Sequence, residues 1–111
     1  MTGQELMALR ITRKVSRLLL AQNGECTPYQ LARFERGKTH KLSELNISRM
    51  VKYLNSHNAK INQIYQTLKE FSPRIIQTGN SFQILIGSPE WELASGTIDD
   101  CLQQIHTWAS N

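Results

Sequence analysis

At Ser72-Pro73 the chain changes its hydrophobic period, and this change limits its architecture more than any other feature. Upstream, apolar residues recur at helical spacing; downstream they alternate, as on a strand with one buried face. Proline halts a helix that reaches it, and the residue before it is biased towards extended backbone. Helices followed by a cluster of strands read as an α+β chain. The pattern predicts five helices over 1–71 and a small β-β-β-α module over 72–111.

The helices are marked by local punctuation. Residues 4–14 carry Leu6, Met7, Leu9, Arg10 and Ile11, the material of a first helix. Ser16 caps a second helix, which Asn23-Gly24 ends because both residues tolerate a left-handed backbone. Thr27-Pro28 opens a third: a capping hydroxyl, then proline where a missing N–H costs nothing. It runs to about Arg36, and Gly37 closes it. A fourth starts near Ser43 with Leu45, Met50, Val51 and Leu54 inward. A fifth covers roughly 59–71 with Ile61, Ile64, Tyr65, Leu68 and Phe71 at helical spacing.

In the tail, Ile75 and the set Phe82, Ile84 and Ile86 flank Thr78-Gly79-Asn80-Ser81, a hairpin turn. Gly87-Ser88-Pro89 turns the chain before a third strand, Trp91–Ala94. Thr97-Ile98-Asp99-Asp100 resembles a capping box with Asp in place of Glu. The last helix places Ile98, Cys101, Leu102, Ile105 and Trp108 on one face. A module this short is expected to pack on the helices or on a second copy of itself.

Charge is unevenly divided. Residues 1–53 hold ten Lys and Arg against four acids, or +6; residues 54–111 hold three against five, or −2. A basic front suggests a polyanionic partner, although a solvated charged face has the same composition.

The most informative stretch is 9–37, two short helices and a tight turn among basic residues. It reads Leu9-Arg10, Ser16-Arg17-Leu18-Leu19-Leu20-Ala21, Cys26-Thr27, Leu31 and Phe34-Glu35-Arg36-Gly37. These residues, in fixed register, resemble the Cro and lambda-repressor-like helix-turn-helix family, also called the Xre family. The resemblance covers residues 3–55, about half the chain. It implies that the helix at about 27–36 enters the DNA major groove while the preceding helix lies across the backbone.

The resemblance also implies roles. Leu20, Ala21, Leu31 and Phe34 form the small core between the two helices, and Thr27 caps the recognition helix. Glu35 pairs with Arg10, a structural pair outside the binding surface. Arg17 replaces the family's usual glutamine and keeps its phosphate contact. The DNA-binding set is then Arg17, Thr27, Pro28, Tyr29, Gln30, Arg33, Lys38, His40 and Lys41. Gln30 can pair bidentately with adenine and Arg33 with guanine; Tyr29 can touch a thymine methyl or a phosphate; Lys38, His40 and Lys41 suit the backbone. The chain departs from the family at the turn, where Gly24 takes the usual leucine position and Glu25 the usual glycine position. Leu18 and Leu19, at usually polar positions, meet the C-terminal module or a partner, or are simply exposed.

The expected function is a sequence-specific DNA-binding transcriptional regulator, a dimeric repressor on an inverted-repeat operator. Dimerisation is assigned to residues 72–111, through an edge strand or the Ile105/Trp108 helix face. The alternative is a protein-interaction or antitoxin-like partner of a phage, plasmid or toxin–antitoxin system, with the helix-turn-helix secondary. No catalytic set is visible, and no cofactor is expected. His40, His57 and His106 lack metal-ligand spacing, and Cys26 and Cys101, 75 positions apart, read as core thiols. Gly79 and Gly96 suit turns, and Trp91 and Trp108 suit core or dimer packing. No apolar run nears the ~18 residues of a membrane span and no secretory signal is visible, so a cytoplasmic protein is expected.

Overall fold

The computed structural model describes residues 1–38 and 42–110. These residues form an α+β structure of six helices and one antiparallel sheet. In chain order they are α1 Gly3–Thr12, α2 Arg17–Gly24, α3 Pro28–Glu35, α4 Glu44–Leu54 and α5 His57–Thr67. A short 3₁₀ turn, Lys69–Phe71, precedes β1 Arg74–Thr78, β2 Ser81–Ile86, β3 Trp91–Gly96 and α6 Ile98–Ala109. The chain divides into two compact units, Met1–Gln63 and Ile64–Asn111. The division falls inside α5 rather than at Ser72-Pro73, because Ile64 and Leu68, both fully buried, belong to the second unit.

In the first unit, side-chain caps set the helix starts. Thr2 and Glu5 form a capping box on α1, and the hydroxyls of Ser16, Thr27 and Ser43 accept from the backbone at the starts of α2, α3 and α4. Such caps each stabilise a helix by about 1 kcal/mol. Leu6, Val15, Leu20, Ala21, Leu31, Met50 and Leu54 make the core, with Leu9, Cys26, Phe34, Leu42, Val51 and Tyr53 packed against it. Leu45, expected inward, is 57% exposed. It lies five residues before Met50, about 140° around the helix from that buried face.

Two contacts in this unit are set by the tertiary structure. Gly3 admits α1 against the end of α3: a Cβ there would stand 1.8 Å from the Phe34 carbonyl oxygen. Arg13 ties the end of α1 to other chain segments, with Nε donating to the Leu54 carbonyl at 2.9 Å and Nη1 to Gln63 Oε1 at 2.9 Å. Asn62 Nδ2 returns a bond to the Arg13 carbonyl at 3.0 Å.

In the second unit the strands lie in sequence order, with Ile84 paired between Ile75 and Ala94. Gly79 (φ 61) begins the two-residue turn between Thr78 and Ser81, a left-handed position that glycine fills without a Cβ penalty. Phe82, Ile84, Ile86 and Ala94 are buried, as are Ile98, Cys101 and Ile105 of α6, which packs on β2 and β3. The Thr97–Asp100 capping box is present, and β3 runs two residues past Ala94 to Gly96. Trp108 meets Phe71 edge-on at 5.4 Å. Two aromatics of the fifth-helix pattern lie outside the buried stripe, Tyr65 at 42% and Phe71 at 44% exposed, and Trp91, expected in core or dimer packing, is 49% exposed.

Candidate nucleic-acid interface

The α2–α3 turn shows how this sequence solves a local problem. Glu25, not Asn23 or Gly24, adopts the left-handed conformation (φ 58, ψ 41) that ends α2. Its N–H donates back to the Gln22 carbonyl at 3.3 Å, and that of Cys26 donates to the Ala21 carbonyl at 3.0 Å. Gly24 remains helical and buried, because Met50 of α4 fills the space beside it: a Cβ on Gly24 would lie 2.5 Å from Met50 Cγ. Position 24 thus has no room for a side chain, and the strained geometry falls to its neighbour. Asn46 Nδ2 donates to the Gly24 carbonyl at 2.6 Å, and Arg49 pairs with Glu25.

Beneath the turn, Glu35 at the end of α3 is 1% exposed and both its oxygens are bonded. Arg10 forms the expected fork, Nε to Oε2 at 2.6 Å and Nη2 to Oε1 at 3.1 Å, while its Nη1 donates to the Val15 carbonyl at 3.1 Å. Arg17 joins them, Nε to Oε1 at 2.7 Å, with its side chain 41% exposed. Arg17, expected at a phosphate, is thus engaged in an ion pair within the fold. Two guanidiniums on one carboxylate leave a local net charge of +1, so the cluster remains cationic.

On α3, Thr27 Oγ1 accepts from the Gln30 N–H at 3.1 Å, and Gln30 Oε1 accepts from the Thr27 N–H at 2.9 Å. A bidentate pair with adenine uses both Oε1 and Nε2 of the carboxamide, and the cap engages one of the two lone pairs of Oε1. Tyr29 is 66% exposed, and the Arg33 guanidinium carbon lies 5.8 Å from its ring centroid, one helical turn away. Pro28 and Thr27 are exposed at the same end of α3, and Lys38 is exposed past its C-terminus. His40 and Lys41 lie outside the described residues.

Leu18 and Leu19 are 56% and 37% exposed on α2. Burial raises the thiol pKa of Cys26, which packs against the core, and so favours its protonated form. Among the described residues no three His, Cys, Asp or Glu side chains are grouped as metal ligands, and no helix is long and apolar enough to cross a membrane. Sequence reasoning missed Gly3, Asn46 and Met50 as residues that position this surface, and left out Arg36, which is exposed at the C-cap of α3. Asn46 has a local signal, three residues after the Ser43 cap, and helical spacing places Met50 inward, though not against Gly24.

Compared with protein-family models, with curated proteins and with solved structures, the chain gives no match.

Proposed function

We propose that the chain is a sequence-specific DNA-binding transcriptional regulator, a dimeric repressor that lays α3 in the major groove of an inverted-repeat operator. The observation that carries this reading is the α2–α3 pair clamped by Arg10, Glu35 and Arg17, with Tyr29 and Arg33 on its outer side. A short helix with an exposed aromatic ring in its first turn and a partly exposed guanidinium one turn on suits base edges, and Arg36 and Lys38 beyond it suit phosphates. Arg33 takes the base-reading role, to guanine N7 and O6. Gln30 acts by fixing the start of the helix.

Selection of DNA fragments by the purified full chain tests the reading. A recovered inverted repeat, bound in a gel shift with steep salt dependence, supports it. Equal retention of unrelated fragments at all salt concentrations overturns it. A second reading, a protein-interaction or antitoxin-like role, is favoured by the exposure of Leu18 and Leu19. Under that reading Leu18→Lys abolishes capture of a co-encoded protein while DNA retention is unchanged.

A further inference from the structure

The three-stranded sheet has two edges, and they are not equivalent. On β3 the edge is closed at Ser95 by a side chain of α6. Gln104 Nε2 donates to the Ser95 carbonyl at 2.8 Å, and the Ser95 N–H donates to Gln104 Oε1 at 3.2 Å. One carboxamide thus takes both backbone groups that a neighbouring strand would need there. The β2–β3 register is also shifted between Ile84 and Leu85, an irregularity of the kind that turns a strand away from further pairing. On the other side β1 carries neither device. It is regular, with an unbroken register to β2, contains no proline or lysine, and is exposed or partly buried along its length.

Gln104 also reveals which backbone groups of β1 face outward. Ser95 lies opposite Gln83, yet its own N–H and carbonyl bond to Gln104, away from β2. Antiparallel pairs alternate between bonded and non-bonded, so Gln83 directs its backbone groups to Ile76 on β1. The groups of Ile75 and Gln77 are then the ones at the open edge.

We propose that this edge pairs with β1 of a second copy of the chain, antiparallel across a two-fold axis at Ile76, to give a continuous six-stranded sheet. In this register Ile75 of each copy exchanges backbone bonds with Gln77 of the other, and the two Ile76 side chains meet at the axis. Arg74, the one charged residue of the strand, falls opposite Thr78 of the other copy, so no like charges face each other. Arg74 is also neutralised within its own copy by Glu90, at 2.8 and 2.9 Å. Because Gln104 blocks the far edge, pairing stops at two copies and makes a closed dimer rather than a growing fibre. The alternative dimer surface, the Ile105/Trp108 face of α6, is already used: Ile105 is 3% exposed and Trp108 packs on Phe71. The pairing deepens the dimer of the proposed regulator and rests on that reading for its biological use. Association is measured without DNA, so either can fail alone.

Sedimentation of the purified full chain in the absence of DNA is the first test, and a dimer at micromolar concentration is expected. Gln77→Pro removes an outward N–H that β2 does not use and should give a monomer with unchanged circular dichroism. Ile76→Cys should form a covalent dimer under mild oxidation, since a non-bonded pair brings Cα atoms within disulfide range. Thr78→Cys, which faces Arg74 of the other copy, should not. Gln104→Ala should open the second edge and yield species larger than a dimer. If Gln77→Pro fails to fold, the cysteine pair decides. A wild-type monomer overturns the proposal, as does a dimer that survives Gln77→Pro without Ile76→Cys cross-linking, or one in which Thr78→Cys cross-links instead. A dimer that retains no DNA leaves the sheet pairing standing and removes the regulator.

Discussion

The fit of Gly24 against Met50 yields a prediction in which the sign of a mutation reverses with its background. A Cβ at position 24 would stand 2.5 Å from Met50 Cγ and 3.0 Å from Sδ. Carbon atoms in favourable contact sit about 3.5–4 Å apart, so Gly24→Ala forces an overlap of about 1 Å. Overpacking by one methyl costs about 1–3 kcal/mol, and the helix preference of alanine over glycine returns at most about 1 kcal/mol. Gly24 is the last residue of α2, which trims that return, so the net loss is about 1–2 kcal/mol. Met50 is fully buried, and Met50→Ala costs about 2–5 kcal/mol. With Met50 truncated the two contacts at 2.5 and 3.0 Å are gone and only the Asn46 carbonyl oxygen, at 3.3 Å, stays close, so Gly24→Ala should become neutral or stabilising by up to about 1 kcal/mol. The coupling between the two sites is then about 2 kcal/mol, far above the error of independent sites. Gly24→Leu with Met50→Ala moves the missing bulk from α4 to α2 and should recover part of the loss. Urea denaturation read by far-ultraviolet circular dichroism measures all of these. Tryptophan fluorescence is the wrong probe, because Trp91 and Trp108 both lie in the second unit. If Gly24→Ala costs the same with and without Met50, the steric account of this turn is refuted.

Other perturbations separate structural from binding roles. Glu35→Gln keeps the shape but leaves Arg10, 12% exposed, without its anion, and should cost about 3 kcal/mol in denaturant titration. Arg17→Ala should cost under about 1 kcal/mol, because solvent screens a side chain 41% exposed; equal losses would contradict the assigned burial. In a gel shift Arg33→Ala should cost about 1–3 kcal/mol and relax selectivity at one base pair. Lys38→Ala should weaken all sequences alike and reduce the salt slope by about 1. The thiol of Cys101 is raised above its ordinary range by burial, and further by Asp100 and Glu92. Its stabilising effect is complete below the unfolded thiol pKa and lost as pH climbs through the higher folded one. Urea midpoints should therefore fall more steeply at alkaline pH for the wild type than for Cys101→Ala.

Much of the helical structure of both units is legible because its signals are short-range. Ser16, Thr27, Ser43 and Thr97 act on backbone three residues away, so a hydroxyl in the right place announces a helix wherever the rest of the chain goes. The buried positions Leu20, Leu31, Met50 and Leu54 follow from helical spacing alone. The misplacements arose where two faces of an element compete. Leu45 and Tyr65 are apolar enough to be read as core, yet both lie outside the buried stripe of their helix. Gln30 has the chemistry of a base reader, and its place three residues after Thr27 also makes it part of the helix cap.

The α+β class, the period change at Ser72-Pro73, the helix caps, the Gly79-Asn80 turn and the concentration of positive charge before residue 54 are all written in the order of residues. These depend on propensities and bonds spanning a few residues. Packing, by contrast, sets the sharing of Glu35 by Arg17 and Arg10, the exclusion of a side chain from position 24 by Met50, and the closure of one sheet edge by Gln104 with β1 left open. Those three outcomes join residues 18, 26 and 9 positions apart. Nothing in local spacing specifies them, because each is fixed by which side chain reaches a buried oxygen, a void or an unpaired backbone group once the elements have packed.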